Sequence, residues 1–431
     1  MLFYRIEGEK YFKLNKSMKR RFLIVLFLIL SRSVFAQISF IPELVHRDGL
    51  PNVALKIKAA GPDSLCIAFF GGSITDAANG WRDQSMAWLK AQYPKAKFKQ
   101  INASIGGTGS SLGVYRLSEH VLQYKPDLVF VEFGVNDFDD TRKSILESME
   151  GIVRQIWKAN AKTDICFIYT IKDGMLDSYR KGFYPNSVSI IEEIAGHYKI
   201  PSINFGPNII TKLEKKELFI QGKQGQKDSI FFSSDGVHPY TKTGHEYYTQ
   251  TFSKFFPELI YKSRRYNHKI KQIHYSDAYE NAAMINISDN KIGNAPVTKY
   301  VESEEITKKF ARLLPELKAL TTEQESLQFD FTGNKVGFLD VIGPESTQLK
   351  VEIDNDQPRY VTRFDKYCTF TRMHSFFIEN LEDGKHHIKI SISPNKINKE
   401  AILGIKPTEF EKSKSYEKEL WRVGKILLVN K

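Results

Sequence analysis

Cysteine is scarce in this chain: Cys66, Cys166 and Cys368 are the only three in 431 residues. An odd number excludes a complete disulfide framework. Cys66 and Cys166 sit in apolar runs, as buried free thiols do. No Cys/His spacing resembles a zinc site and no His-Glu-x-x-His occurs, so no metal is expected. Long apolar runs are also missing. The longest, Phe22 to Leu30, is far short of the ~20 residues of a membrane-spanning helix. There is no internal repeat, no low-complexity linker and no basic stripe interleaved with aromatics, which argues against nucleic acid as a partner. Gly107-Thr108-Gly109 hints at a dinucleotide loop, but the third glycine is misplaced, and no cofactor is implied.

What is present is an ordinary globular composition, 42% hydrophobic and 26% charged, enough for a core without covalent staples. The first 36 residues are of a different kind. Lys19-Arg20-Arg21 precede the apolar run Phe22 to Leu30, and Val34-Phe35-Ala36 offers small residues before Gln37. This is the pattern of a secretory signal peptide cleaved near Ala36, with Met1 or Met18 as the start, and it implies a periplasmic or secreted protein. That segment holds eight Lys/Arg and two Glu, half of the formal charge of +12, so the remainder carries only +6. A balance that modest is an ordinary solvated surface.

From residue 64 to 260 short apolar runs alternate with helical spacing. Strands are predicted at 65–70, 98–102, 128–133, 165–169 and 203–205, and helices at 81–92, 144–158, 187–198 and 242–256. Such alternation implies a parallel sheet covered on both faces. Residues 263–321 are mixed and polar. Beyond them strand signals dominate at 327–331, 336–341, 349–353 and 386–392, with turn chemistry at Asp354-Asn355-Asp356 and Glu382-Asp383-Gly384-Lys385. These read as an antiparallel β-sandwich. The expected division is a signal peptide at 1–36, an α/β domain at 37–262 and a sandwich domain at 263–431.

The chemistry-bearing residues gather at strand ends. Gly71-Gly72-Ser73-Ile74-Thr75 follows the first strand, where ligands bind in an open parallel sheet. Alone this is a common turn. Asp235-Gly236-Val237-His238 can fold a carboxylate and an imidazole onto one loop, the base and orienter that a serine hydroxyl needs. The plainer reading of Asp235 is a cap for the helix that follows. Asn102 to Thr108 follows the second strand, and Gly134-Val135-Asn136-Asp137 the third. A glycine N–H and an asparagine amide are the donors an oxyanion hole requires. Gly109-Ser110-Ser111-Leu112-Gly113 matches a nucleophile elbow, but an elbow must join strand directly to helix, and residues 104–108 intervene. Trp81-Arg82 opens a helix near the crevice and either contacts substrate or packs. Asp76 either lines the pocket or caps the helix. His120 and His197 lie in helical runs as surface or core residues.

The four blocks together, Gly71 to Thr75, Asn102 to Gly107, Gly134 to Asp137 and Asp235-x-x-His238, resemble in order and spacing those of the SGNH/GDSL hydrolase family, over about residues 60–255. The resemblance implies a flavodoxin-like three-layer α/β/α domain and a serine esterase. Ser73 would be the nucleophile, His238 the general base and Asp235 its orienter. The Ser73 and Gly107 N–H groups and the Asn136 side chain would form the oxyanion hole. Gly-Gly-Ser-Ile stands where the family has Gly-Asp-Ser-Leu, and Gly106 competes with Gly107 as donor. Arg47 to Asn52, Gly80-Trp81-Arg82 and the C-terminal tail resemble an exported bacterial subgroup with a jelly-roll-like β-sandwich, which implies carbohydrate O-acetyl esters as substrate. A lipid or thioester substrate, and a silent glycan-binding protein, are the other readings.

Overall fold

The structure is a computed structural model that describes residues 41–59, 61, 64–226, 229–287, 303–404 and 414–429. The expected signal peptide lies outside the described residues. Six strands form the first sheet: β1 (Leu44–Val45), β2 (Leu65–Gly71), β3 (Phe98–Asn102), β4 (Leu128–Glu132), β5 (Asp164–Tyr169) and β6 (Ser202–Asn204). Their order is β1-β6-β5-β4-β2-β3. β2 to β6 run parallel, and β1 caps the edge antiparallel to β6. β2, β4 and β5 are buried along their whole length, which is why they read as continuous apolar runs and not as alternation. The chain leaves β2 toward β3 and returns to the other side with β4, so a crevice opens at the carboxyl ends of these three strands.

Helices cover both faces. On one side lie α1 (Pro51–Ala59), α3 (Trp81–Gln92) and α7 (Gly244–Leu259). On the other lie α4 (Ser110–His120), α5 (Arg142–Ala159) and α6 (Asn186–Tyr198). The short α2 (Ser73–Asp76) sits at the end of β2. The predicted strands and helices recur within a few residues of their expected bounds. A parallel pair, β7 (Phe219–Gln221) and β8 (Phe231–Ser233), leads into the Asp235 loop.

The C-terminal part holds β9 (Ala282–Asn286), α8 (Glu304–Phe310), β10 (Lys318–Leu320), β11 (Ser326–Gly333), β12 (Val336–Ile342), β13 (Gln348–Ile353), β14 (Arg359–Thr362), β15 (Arg372–Ile378), β16 (Gly384–Ile392) and β17 (Trp421–Val429). They form two antiparallel sheets, β10-β17-β12-β15 with β9 on β17, and β11-β16-β13-β14. Phe329, Ile390 and Val351 of one sheet meet Phe338, Trp421 and Ile426 of the other in a shared core. β12 is buried on both faces. Val336 and Phe338 point into the sandwich, while Leu339 and Val341 join the α4–α5–α6 core of the first sheet. β9 lies against α4, so this core runs without interruption from Val114 and Met149 to Met284, Leu313 and Leu427.

Candidate active site

Gly71 and Gly72 bring Ser73 to the crevice, for a reason different from the flexibility of a turn. Neither lies in the left-handed region. Gly72, with φ −98° and ψ −155°, has a backbone any residue adopts. Space is what each position lacks. A Cβ at Gly71 would stand 2.6 Å from the Glu132 carbonyl, and one at Gly72 only 1.9 Å from Asn136 Oδ1. The second glycine thus lets the Asn136 side chain lie directly over the Ser73 turn.

The Ser73 hydroxyl donates to His238 Nε2 at 2.8 Å, and His238 Nδ1 donates to Asp235 Oδ2 at 2.7 Å. The direction follows from the carboxylate. An ionised Asp235 only accepts, so Nδ1 carries the proton and Nε2 is left as an acceptor for Ser73. Burial works against the charge on Asp235. Hydrogen bonds from the His238 ring and from the His238 and Val237 N–H groups outweigh it and bring its pKa down to about 2. Gly236 makes this curl possible with a left-handed φ of +79°. Its N–H is held by Ser233 Oγ at 2.7 Å and its carbonyl by the Asp173 N–H at 2.8 Å. Asp235 is therefore not the cap of α7, which begins beyond Thr243. The imidazole is 54% exposed, so the relay faces solvent.

Gly106 and Asn136 both lie against the Ser73 turn. A Cβ on Gly106 would approach Ser73 Cβ to 3.6 Å. Gly107, at φ +74°, is exposed and open toward the crevice. Asn136 begins a short 3₁₀ turn after β4. Asp137 beneath it accepts the Ser110 N–H at 2.8 Å, which ties this turn to the start of α4. A cleft of about 320 Å³ lies beside Gly107, lined by Thr108 and Ser111 on one side and by Arg372, Met373 and His374 of β15 on the other.

Three expected contacts fall elsewhere. Trp81 is 0% exposed, packed edge-on against Phe69 and Phe205, and its indole N–H donates to Thr75 Oγ1 at 3.1 Å. Arg82 is buried and donates to the Thr75 and Asp76 carbonyls at 2.9 and 3.1 Å. Both brace the turn from behind, so the expectation that they touch substrate is corrected: burial keeps them from it. Asp76 accepts from Asn102 Nδ2 at 2.8 Å and from Arg312 at 2.5 Å, joining α2 to the second strand and to the C-terminal part. Ser111 lies in the first turn of α4 and, among the described residues, makes no hydrogen bond to an imidazole.

Sequence reasoning missed the buried support. Glu132 ends β4 fully buried, accepting from Thr75 and Thr170 hydroxyls at 2.8 and 2.7 Å. Burial pushes its pKa up to about 7, and does the same for Asp137. His245 of α7 accepts the Trp81 N–H at 3.1 Å, and burial holds its pKa down at about 4, a neutral acceptor at neutral pH. A charged residue ending an otherwise apolar strand was the available signal for Glu132.

A parallel α/β core with a serine, an imidazole and a carboxylate in sequence at its carboxyl edge defines a hydrolase fold. Residues 69–246 match the GDSL-like Lipase/Acylhydrolase family, so the chain carries an ester hydrolase domain of that family. No curated protein matches the sequence. Among solved structures, a two-domain esterase (CEX) active on acetylated mannans, co-crystallized with mannopentaose, is 20% identical with a TM-score of 0.65, over 90% of this chain and 98% of that one. A second structure of that esterase is 19% identical with a TM-score of 0.64, over 89% and 98%. A lipase/acylhydrolase from Enterococcus faecalis is 20% identical with a TM-score of 0.35, over 47% of this chain and 98% of that one. The esterase match extends over both the hydrolase core and the C-terminal sheets. Among the described residues no helix is long and apolar enough to cross a membrane.

Proposed function

We propose that this protein is an exported serine esterase that removes O-acetyl groups from carbohydrate through an acyl-enzyme on Ser73. The observation that carries the reading is the relay of 2.8 and 2.7 Å from Ser73 through His238 to Asp235. His238 takes the Ser73 proton as the oxygen attacks the ester carbonyl. The Gly107 and Ser73 N–H groups and the Asn136 amide receive the developing oxyanion, and Asp235 holds the imidazolium. His238 then gives the proton to the leaving sugar hydroxyl. Water, deprotonated by the same imidazole, releases acetate and restores Ser73.

The substrate class draws support from the acetylated-mannan esterase that shares the two-part architecture. The cleft favours it over a long acyl chain, because Ser111, Arg372 and His374 offer hydrogen-bonding groups suited to sugar hydroxyls. Export rests on the basic-apolar-small pattern of residues 18–36, and the division at 262 on the change from alternating elements to strands. The test is acetate release from a panel of acetylated glycans, alongside 4-nitrophenyl esters of increasing chain length. Acetate should be released by the native enzyme and by Ser111→Ala but not by Ser73→Ala. Full activity in Ser73→Ala, or a preference rising with acyl length, would overturn the reading.

A further inference from the structure

Arg116 is the largest charged side chain buried in the hydrolase core, 0% exposed, and its place on α4 puts it under the proposed oxyanion site. Its guanidinium donates to the Ala103 carbonyl at 2.5 Å, to the Gly71 carbonyl at 3.0 Å and to Thr108 Oγ1 at 3.0 Å. Gly71 lies two residues before Ser73, and its carbonyl also accepts the Ile105 N–H at 3.1 Å. Ala103 and Thr108 bracket the loop that carries Gly106 and Gly107. One rigid, planar group therefore spans the two segments that set the nucleophile and the backbone donor.

The charge itself needs explaining. Among the described residues Arg116 forms no ion pair with a carboxylate, and its Nε has no hydrogen-bond partner. The group sits 4.5 Å over the Phe70 ring and 5.9 Å from that of Phe133. An unpaired buried cation disfavours folding, and a neutral amide could hold the same carbonyls. Burial and then Arg312 lower its pKa to about 9, with Asp76 opposing, so it is still a cation at neutral pH. A fixed positive charge held in the buried interior favours a negative charge that appears transiently nearby.

We infer that Arg116 is a positioning residue of the acyl-transfer site: it locks the Ser73 turn against the Gly106-Gly107 loop and biases the site toward the tetrahedral oxyanion. The inference rests on the serine-esterase reading above.

Arg116→Gln removes the charge and keeps a hydrogen-bonding side chain, and Arg116→Lys keeps the charge and loses the fork. Both are compared with the native enzyme for kcat and KM on 4-nitrophenyl acetate, and for inhibition by an alkylboronic acid, whose serine adduct is tetrahedral. The expected result for Arg116→Gln is a fall of about 100-fold in kcat with an equal loss of boronic-acid affinity. KM should stay within about twofold, and Arg116→Lys should recover part of both losses. A folded Arg116→Gln with native kcat, or with lost kcat and native boronic-acid affinity, overturns the inference. If Arg116→Gln fails to fold, Thr108→Val decides, because it removes one link without emptying buried space. A fall of about tenfold in kcat is expected and no change refutes. Ser73→Ala run alongside separates the two readings. Activity surviving in Ser73→Ala removes the nucleophile itself. Activity lost there but kept in the Arg116 variants removes only the role of Arg116.

Discussion

Gly72→Ala adds one methyl group where Asn136 already lies. The new Cβ would stand 1.9 Å from Asn136 Oδ1, 2.6 Å from its Cγ and 3.0 Å from its Nδ2, against ordinary contact beginning at 3.4 Å. The amide must withdraw by roughly 1.5 Å, the difference between those distances. The backbone offers no resistance, since φ −98° suits alanine. Gly→Ala at a compatible site stabilises by about 0.4–1 kcal/mol through the unfolded chain, which offsets part of the cost of rotating one half-buried amide. Stability should therefore hardly change while activity falls. Displacing an oxyanion donor costs about 100- to 1,000-fold in kcat, so with Asn136 in the proposed role a loss of about 100-fold on 4-nitrophenyl acetate is expected, with KM little altered. The same substitution in an Asn136→Ala background should cost less than tenfold, because the clashing group is gone. Native kcat in Gly72→Ala, or a loss undiminished in the double variant, would refute the argument that this glycine exists to admit Asn136. An aspartate at position 72, as in Gly-Asp-Ser-Leu, faces the same obstruction.

Glu132 gives a pH dependence of stability. Its pKa rises from 4.5 to about 7 on folding through burial, so the folded state keeps a proton that the unfolded chain has released between these values. Stability should then fall as pH rises through that window, by up to about 3 kcal/mol for this one group, and be unaffected below it. Urea unfolding at pH 5 and pH 8 should show a smaller difference for Glu132→Gln than for the native protein, and equal differences would count against it. Asp235→Asn reverses the proton preference of His238 Nδ1 and should lower kcat by about 10⁴-fold; a loss under tenfold on the same ester would mean that the carboxylate is dispensable. Glu119→Gln deprives Lys425 of its ion pair at 2.8 Å, although the ammonium is 0% exposed. Because Glu119 is itself 36% exposed, the expected cost is roughly 2 kcal/mol and not the full value of a buried pair. Denaturant titration with unchanged midpoint would contradict it.

The hydrolase strands were legible because β2, β4 and β5 bury every residue and so write themselves as unbroken apolar runs. β11 was legible for the opposite reason: Leu327, Phe329 and Phe331 alternate with Gln328, Asp330 and Thr332. β9 was not, since Ala282–Asn286 is short, sits in a polar segment and becomes a strand only on pairing with β17, far along the chain. The polar residues at strand ends were readable one loop at a time, because Ser73, Asn102, Asn136 and the Asp235–His238 pair each follow or adjoin a recognisable element. What joins them was not readable. Arg116 looks like one polar position in a helix, and its meaning depends on Gly71, Ala103 and Thr108 meeting around it. Trp81 and Arg82 carried a motif-like appearance, yet their motif serves the back of the turn.

The continuous hydrocarbon between α4, α5 and the strands β9, β12 and β17 limits what can be done with the gene. A shortened version ending after α7 would retain Ser73 and His238 yet strip Tyr115 of its partners Tyr279 and Phe377 and bare it to water, a sticky wound on the helix that carries Arg116. Engineers seeking a smaller catalyst would have to repaint that face with polar residues before discarding the tail. Grafting a foreign binding module in its place would meet the same obstacle.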